Sequence, residues 1–411
     1  MRPILDTDVL VLGGGISGSA LACALRGSEY RVVCLEERTD PLDTARGDHL
    51  QPRNVQTLAD WGVLDAFLER GAKKRIGHEF RTADGEVLIG VRYDELEIPH
   101  PYFLVFRHEL IAELFLELAT SAGNVTLLRP FSARRIETSG GSIESVTAEG
   151  PGGREVTIRA KVVVAADGSA SQVRTALDFA TFEHPYRRPM VVLFGRRPAS
   201  LVPEDYFFRY SSPAGVLVIQ GRMDGRIKVT LSVGEEGIGW WKRSTPALRA
   251  VVLGERAAVL REFESDIAGF YPLRMIHAID YVSGNTVLVG DAAHSIHPAR
   301  GQGLNMGLAS LPHLLRHLPG TTELDDPPKV AKALLAYQAA VKPLFDRMIA
   351  RNHETAIEME MGVEERREDF VRRQDEQLRR VHRTPELRRR HLLEATGYPF
   401  GVPGEERPVR G

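Results

Sequence analysis

The sequence predicts an α/β fold: a Rossmann-like nucleotide-binding domain, interrupted by a β-rich insertion and followed by C-terminal helices. Three observations predict it. The first 36 residues read as strand, glycine turn, helix and strand. Buried-strand textures return twice, ending at Asp167-Gly168 and at Gly290-Asp291. Between them, from Met190 to Ser232, the texture changes to the alternation of an antiparallel sheet.

Taken in order, Val9-Leu10-Val11-Leu12 is the continuous apolar run expected of a parallel strand covered on both faces. Gly13-Gly14-Gly15-Ile16-Ser17-Gly18 turns the chain into an Ala- and Leu-rich helix, and Arg31 to Glu36 is the second strand. Helical patterns follow at Arg53–Arg70 and His108–Ser121, with short strand-like pieces near Glu79–Val91. Lys161–Ala166 is another buried strand. Val216–Gln220 and Ile227–Leu231 read as a hairpin joined through Asp224-Gly225, because a type I′ turn needs positive φ at both positions. That turn places Arg222 opposite Ile227, Gln220 opposite Val229 and Val218 opposite Leu231. One face then carries Val216, Val218, Ile227, Val229, Leu231 and Val233, with Gln220 and Arg222 as its polar groups. A few polar groups on an apolar wall is the make-up of a small-molecule pocket. The plainer reading of Arg222 is an edge arginine whose stem lies on the sheet while its head reaches water.

Thr286–Gly290 returns to the parallel-strand texture, and a helix opens near Gly303. After Pro327 come two helical stretches. The second, about Glu364–Arg390, sets acids four residues ahead of arginines, as in Glu368–Arg372 and Asp375–Arg379, and reads as a solvated or subunit-facing helix. The expected domains are residues 1–75, 104–180 and 275–325 for nucleotide binding, 76–103 and 181–274 for the β-rich part, and 326–411 for the C-terminal helices.

Composition excludes several classes. Lys plus Arg number 53 against 55 for Asp plus Glu, so the net charge of −2 gives no electrostatic pull toward nucleic acid or an anionic membrane. Cys23 and Cys34 form neither a disulfide framework nor a Cys-x-x-Cys pair. No apolar run approaches the roughly 18 residues of a membrane helix, and Asp6 and Asp8 argue against a signal peptide. The expectation is a soluble cytoplasmic protein, monomer or homodimer.

Three motifs carry the chemistry. In Gly13-x-Gly15-x-x-Gly18 the first glycine permits a tight turn, the second lets the backbone approach a pyrophosphate, and the third lets helix and strand pack closely. The N–H groups at Ile16 and Ser17 open a helix whose positive end suits phosphate. Glu36 ends the second strand, where a carboxylate can accept both hydroxyls of an adenosine ribose, which favours FAD or NAD. No second GxGxxG exists; Gly234, Gly237 and Gly239 are wrongly spaced. The second motif, Asp167-Gly168-x-x-Ser171-x-x-Arg174, also reads as a β-turn with an N-capped helix. The third runs from Gly290-Asp291 through His294 and Pro298 to Gly301-Gln302-Gly303-Leu304-Asn305. Asp291 follows a strand C-terminus, where open α/β sheets bind ligands. Asp291, His294 and His297 resemble a metal cluster, but a metal needs three or more converging ligands, and none is expected.

The order of these motifs resembles the class A flavoprotein monooxygenases, the para-hydroxybenzoate hydroxylase-like FAD-dependent aromatic hydroxylases, from about Asp6 to about Asn352. The resemblance implies tightly bound FAD, with Arg38 and Arg107 near the adenosine and pyrophosphate and Arg46 beside the flavin. It puts Asp167 on the pyrophosphate and nicotinamide side and Asp291 at the ribityl chain. The helix opening at Gly303-Leu304-Asn305, after Gly301, would face the flavin N1–C2=O, and the Pro298 carbonyl the flavin face. It implies that NAD(P)H reduces the flavin and that O2 gives a C4a-hydroperoxide, which transfers oxygen to an electron-rich aromatic. Pro298, Arg46 and Arg222 are the residues implied at the reacting centre, Arg222 because its strand resembles one that presents an arginine to a substrate carboxylate. Two positions depart from the pattern: Ser310 replaces an acid and Val341 an arginine. A flavin reductase or dehydrogenase on the same fold, and a non-catalytic nucleotide-binding protein, are the rival readings.

Overall fold

The computed structural model describes residues 3–41, 47–213, 215–361 and 367–398. The chain divides into two compact units. The first comprises Met1–Asp43, His108–His184 and Arg274–His353; the second comprises Thr44–Arg107, Pro185–Leu273 and Glu354–Gly411.

In the first unit the Ile4–Leu12 strand lies between Val32–Leu35 and Arg154–Ala165 and is parallel to both. Val125–Leu128 extends one side and Thr286–Leu288 the other, again in parallel. Strand order therefore reverses at Ile4–Leu12, which makes its C-terminal end a topological switch point. Val9, Leu10 and Val11 are fully buried, as their continuous apolar run requires. Each such side chain contributes about 1.5–3 kcal/mol on burial. The Ile16–Ala24 helix covers this sheet and packs against the His108–Ala119 and Gly303–His317 helices. Cys23 and Cys34 are buried free thiols, pushed by burial up to about 11 and about 12.

The second unit is built on a seven-stranded sheet in the order Ser265–Tyr271, Met190–Arg196, Arg226–Ser232, Gly215–Gly221, Tyr206–Ser212, Gly77–Thr82, Val87–Arg92. Leu193, Leu217, Ile219, Ile227, Val229 and Leu231 face its main core together with Trp241 and Leu253 of the Glu235–Arg243 and Pro246–Arg256 helices.

The expected boundaries need correcting. Residues 47–75 and 104–107 belong to the second unit, because His49–Leu50 and Lys73–Arg75 both pair with Phe103–Val105. Residues 181–184 go to the first unit. The C-terminal helices form no group of their own. Up to His353 they belong to the first unit, where Gln338 Oε1 accepts the N–H groups of Tyr281 and Val282 at 2.6 and 3.0 Å; from Glu354 they belong to the second.

The expected Arg53–Arg70 helix is two, Pro52–Asp60 and Leu64–Glu69, broken at Gly62, whose φ is +67°. The charged stretch divides into Arg367–Arg383 and Pro385–Thr396, since the residue before a proline disfavours helix. Nor is it solvated all round. Arg367–Arg383 packs on the Val87–Arg92 and Tyr206–Ser212 strands and buries Asp375, while Arg379 reaches Glu86 at 2.8 Å.

The hairpin register also differs by one residue. Gln220 pairs with Lys228, Val218 with Thr230 and Ile219 with Val229. The Arg222 N–H donates to the Arg226 carbonyl at 2.9 Å, so the loop is Met223-Asp224-Gly225. Among these only Gly225 has positive φ, +81°, the pattern of a type I turn closed by a left-handed residue. A one-residue slip exchanges the faces. Val216, Val218 and Gln220 thus share their face with Lys228, Thr230 and Ser232, while Ile227, Val229 and Leu231 enter the core.

Candidate functional site

At the switch point each glycine of the first motif has a distinct steric role. Gly13 has φ +101°, and a Cβ there would overlap the Ala166 carbonyl. A Cβ on Gly18 would overlap the Gly13 carbonyl, so helix and strand touch through bare backbone. Gly15 is different: a Cβ there would meet nothing within 4 Å. It is the N-cap of the Ile16–Ala24 helix, and no side chain caps that end. Glu36 Oε2 accepts the Gly14 N–H at 2.7 Å, and Oε1 accepts the Arg38 N–H at 2.8 Å.

The second motif follows the Arg154–Ala165 strand. Ser171 Oγ caps the Gln172–Ala176 helix by accepting the Arg174 N–H at 3.0 Å, so the plain N-cap reading holds locally. Asp167 Oδ2 accepts the Val173 N–H at 3.2 Å, while Oδ1 is buried with no partner among the described residues. Burial raises the Asp167 carboxyl, against the hydrogen bonds from Ser171 and Val173. The Arg174 guanidinium donates to the carbonyls of Ser169 at 2.6 Å and Ala292 at 2.9 Å, which ties the second motif to the third.

In the third motif Gly290 has φ +58°, and Ser17 Oγ occupies the space a Cβ on Gly290 would need. Gly307 meets the same hydroxyl, 2.6 Å from where its Cβ would stand. Asp291 sits in the single turn Gly290–Ala292. The Pro298 carbonyl accepts the Gly301 N–H at 2.9 Å, and Asn305 Nδ2 donates to the Gly301 carbonyl at 3.2 Å. Gly301 has φ +63° with open space where a Cβ would be. The Gly303–His317 helix then begins with no side-chain cap, next to the buried Gln302 Oε1, which has no partner among the described residues.

His294 and His297 are each pushed down to about 4, chiefly by burial and further by His277 and His353 respectively. His297 Nδ1 accepts the Ala299 N–H at 3.0 Å, as a neutral ring can. Among the described residues no group of three or more His, Cys, Asp or Glu converges as a metal site. Ser310 donates to the Gly307 carbonyl at 2.7 Å and hydrogen-bonds Tyr337, and Val341 is fully buried, so both departures fill packed positions. Arg38 is exposed, Arg107 ends its segment of the second unit, and Arg46 lies outside the described residues.

In the second unit the Arg222 guanidinium lies over the Phe194 ring at 4.0 Å, with Nε 3.3 Å from Asp224 Oδ2. Its head is buried rather than in water. Beside it is a group the sequence did not signal. Asp48 Oδ1 accepts from Lys228 Nζ at 2.8 Å and from His49 Nδ1 at 2.7 Å. Burial works to raise the Asp48 carboxyl, but Lys228 and His49 more than offset it and hold it well below the usual range. A lysine in an alternating strand reads as an outward polar residue, and its partner lies 180 positions away.

The first unit fits a dinucleotide. Open backbone at Gly15 and Gly301, two uncapped helix ends and two orphaned acceptors are what a diphosphate with a polar ring would satisfy. A family model described as FAD binding domain matches residues 6–321. The chain belongs to the FAD-binding domain family. It is 26% identical over 355 residues to ubiquinone hydroxylase UbiL of Rhodospirillum rubrum, covering 82% of this chain and 78% of that one. It is 29% identical over 313 residues to rifampicin monooxygenase of Streptomyces venezuelae, covering 73% of this chain and 61% of that one. The fold matches the crystal structure of p-nitrophenol 4-monooxygenase from Pseudomonas putida with a TM-score of 0.81 at 20% identity, over 98% of this chain and all of that one. This FAD-binding domain protein is an oxidoreductase of the monooxygenase class, with FAD as cofactor, NAD(P)H as electron donor and O2 as co-substrate. No helix among the described residues is long and apolar enough to cross a membrane.

Proposed function

We propose that the enzyme hydroxylates a small, electron-rich aromatic molecule, with FAD held by the three motifs of the first unit. The observation that carries the reading is Ser17 packed against both Gly290 and Gly307, which joins two uncapped helix N-termini in one unit. Bound FAD supplies the redox chemistry, taking a hydride from NAD(P)H and activating O2.

The chain's own groups bind and orient. Glu36, fixed by two N–H groups, keeps lone pairs for the ribose hydroxyls. The Ile16 and Ser17 N–H groups at the Gly15 turn bind the diphosphate, with Arg38 adding positive charge. Asp167 Oδ1 takes a donor on the pyrophosphate and nicotinamide side, and Asp291 takes one from the ribityl chain. The Gly303-Leu304-Asn305 helix end stabilises negative charge on the ring. The Pro298 carbonyl, already accepting one N–H, lines the flavin face. Arg222 is committed to Phe194 and Asp224, so polar contact with the substrate falls to Gln220 and Thr230 instead. Two buried, weakly acidic thiols suit a reducing cytoplasm.

The test is to follow NAD(P)H and O2 consumption together over a panel of phenols, with product analysis. Coupled consumption yielding a hydroxylated ring supports the reading. NAD(P)H oxidation that saturates a double bond without O2 favours the reductase.

A further inference from the structure

The outward face of the second unit's sheet is laid out in cross-strand rows. One row runs Asp266, Phe194, Lys228, Gln220; the next runs Val192, Thr230, Val218, Arg209. Val218, Gln220 and Thr230 lie on central strands, where a covered face would bury them fully, yet each is only half-buried. The middle of this face is open and carries neutral polar groups on an apolar wall, while the Arg367–Arg383 helix covers its Tyr206–Ser212 end.

Arg196 and Arg226 stand exposed in the row at the hairpin-loop end of this face, while the cations nearest Gln220 and Thr230 are already occupied. Lys228 Nζ is buried against Asp48 Oδ1 at 2.8 Å, and His49 shares the same oxygen. Arg222 is held by Asp224 and by the Phe194 ring. Arg209 lies over the Phe80 ring at 5.1 Å, reaches Gln374, and acts on the Asp375 carboxylate. An ion pair that shares one buried carboxylate oxygen has no net charge to offer a ligand. A carboxylate brought onto this wall would lose its hydration and gain no counter-charge, which is costly.

We infer that this face selects uncharged aromatic substrates and rejects carboxylated ones, with Asp48 setting the selectivity by cancelling Lys228 and with Gln220 and Thr230 meeting a neutral hydroxyl or carbonyl group. The inference rests on the hydroxylase reading, and it differs from the substrate-carboxylate role that the resemblance implies for Arg222. Removing the cancelling charge makes room for an anion, because Asp48→Asn leaves Lys228 Nζ without its carboxylate partner and a ligand carboxylate can take that place.

The experiment titrates the FAD-loaded enzyme with two ligands of the same shape, 4-hydroxybenzamide and 4-hydroxybenzoate, and reads binding from the flavin absorbance. The wild type should bind the amide at least about tenfold tighter. Asp48→Asn should move that ratio about tenfold toward the acid, and Asp48→Asn with Lys228→Met should restore it. Gln220→Lys adds a cation in the same row without touching the ion pair, and it should shift the ratio the same way even if Asp48→Asn fails to fold. A wild type that binds the acid as tightly as the amide, or that binds neither, overturns the inference, as does a ratio unmoved in both single variants. An enzyme lacking FAD or showing no substrate-stimulated O2 uptake would instead defeat the functional reading on which it rests.

Discussion

Gly14 donates its N–H to Glu36 Oε2 at 2.7 Å, so the acid at the end of the second strand also braces the glycine turn. The Arg38 N–H occupies its other oxygen at 2.8 Å. One carboxylate therefore holds the turn in shape and faces the position proposed for the adenosine ribose.

Glu36→Ala should weaken FAD binding by about 1.5–3 kcal/mol, roughly ten- to a hundredfold, because the ribose hydroxyls lose a charged acceptor. Titration of FAD into apoprotein checks it. An unchanged dissociation constant would remove Glu36 from the site.

Gly15 and Gly18 should part company. Gly18→Ala drives a Cβ into the Gly13 carbonyl and should lower the melting temperature of apoprotein and holoprotein alike. Gly15→Ala places its Cβ in open space at a φ of −63°, which any residue adopts. It should leave the apoprotein's melting temperature unchanged and reduce FAD content. Equal effects of the two on the apoprotein would contradict the assignment of Gly15 to a ligand.

Arg174 joins two motifs through the Ser169 and Ala292 carbonyls. Arg174→Ala should cost about 2–4 kcal/mol, since charge-assisted bonds to buried backbone are lost together. Thermal melts should fall by several degrees. Arg174→Lys should recover only part of this, because an ammonium lacks the planar fork.

Acid should destabilise the first unit through His294 and His297. Their folded values, about 4, lie below the ordinary 6.5, so the unfolded chain binds protons more readily. The stability they carry is full above about pH 6.5 and is lost as pH falls toward 4, up to about 3 kcal/mol for each. Urea melts at pH 7 and 4.5 read this directly. His297→Asn should flatten the dependence, and an identical pH slope would count against it.

Much of the first unit could be read from its residues, because each local choice has a single physical reason. Val9 to Leu12 must be covered on both faces, and Gly13 and Gly18 stand where any side chain would overlap a carbonyl. The hairpin was harder. Asp224-Gly225 ends a three-residue loop as naturally as it fills a two-residue one, and only the pairing of Gln220 with Lys228 distinguishes them. The boundary near residue 44 depends on strands pairing with Phe103–Val105, and the Asp48–Lys228 contact on a fold already formed. Such long-range pairings leave no local mark.

The most direct measurement is the fate of labelled O2. Purified protein carrying its released-and-identified FAD is turned over with NAD(P)H and a phenol in isotopically labelled O2. One labelled oxygen atom in the ring hydroxyl of the product, with one NAD(P)H consumed for each, is the expected result. A colourless protein, or a flavoprotein whose product carries no label, would contradict it.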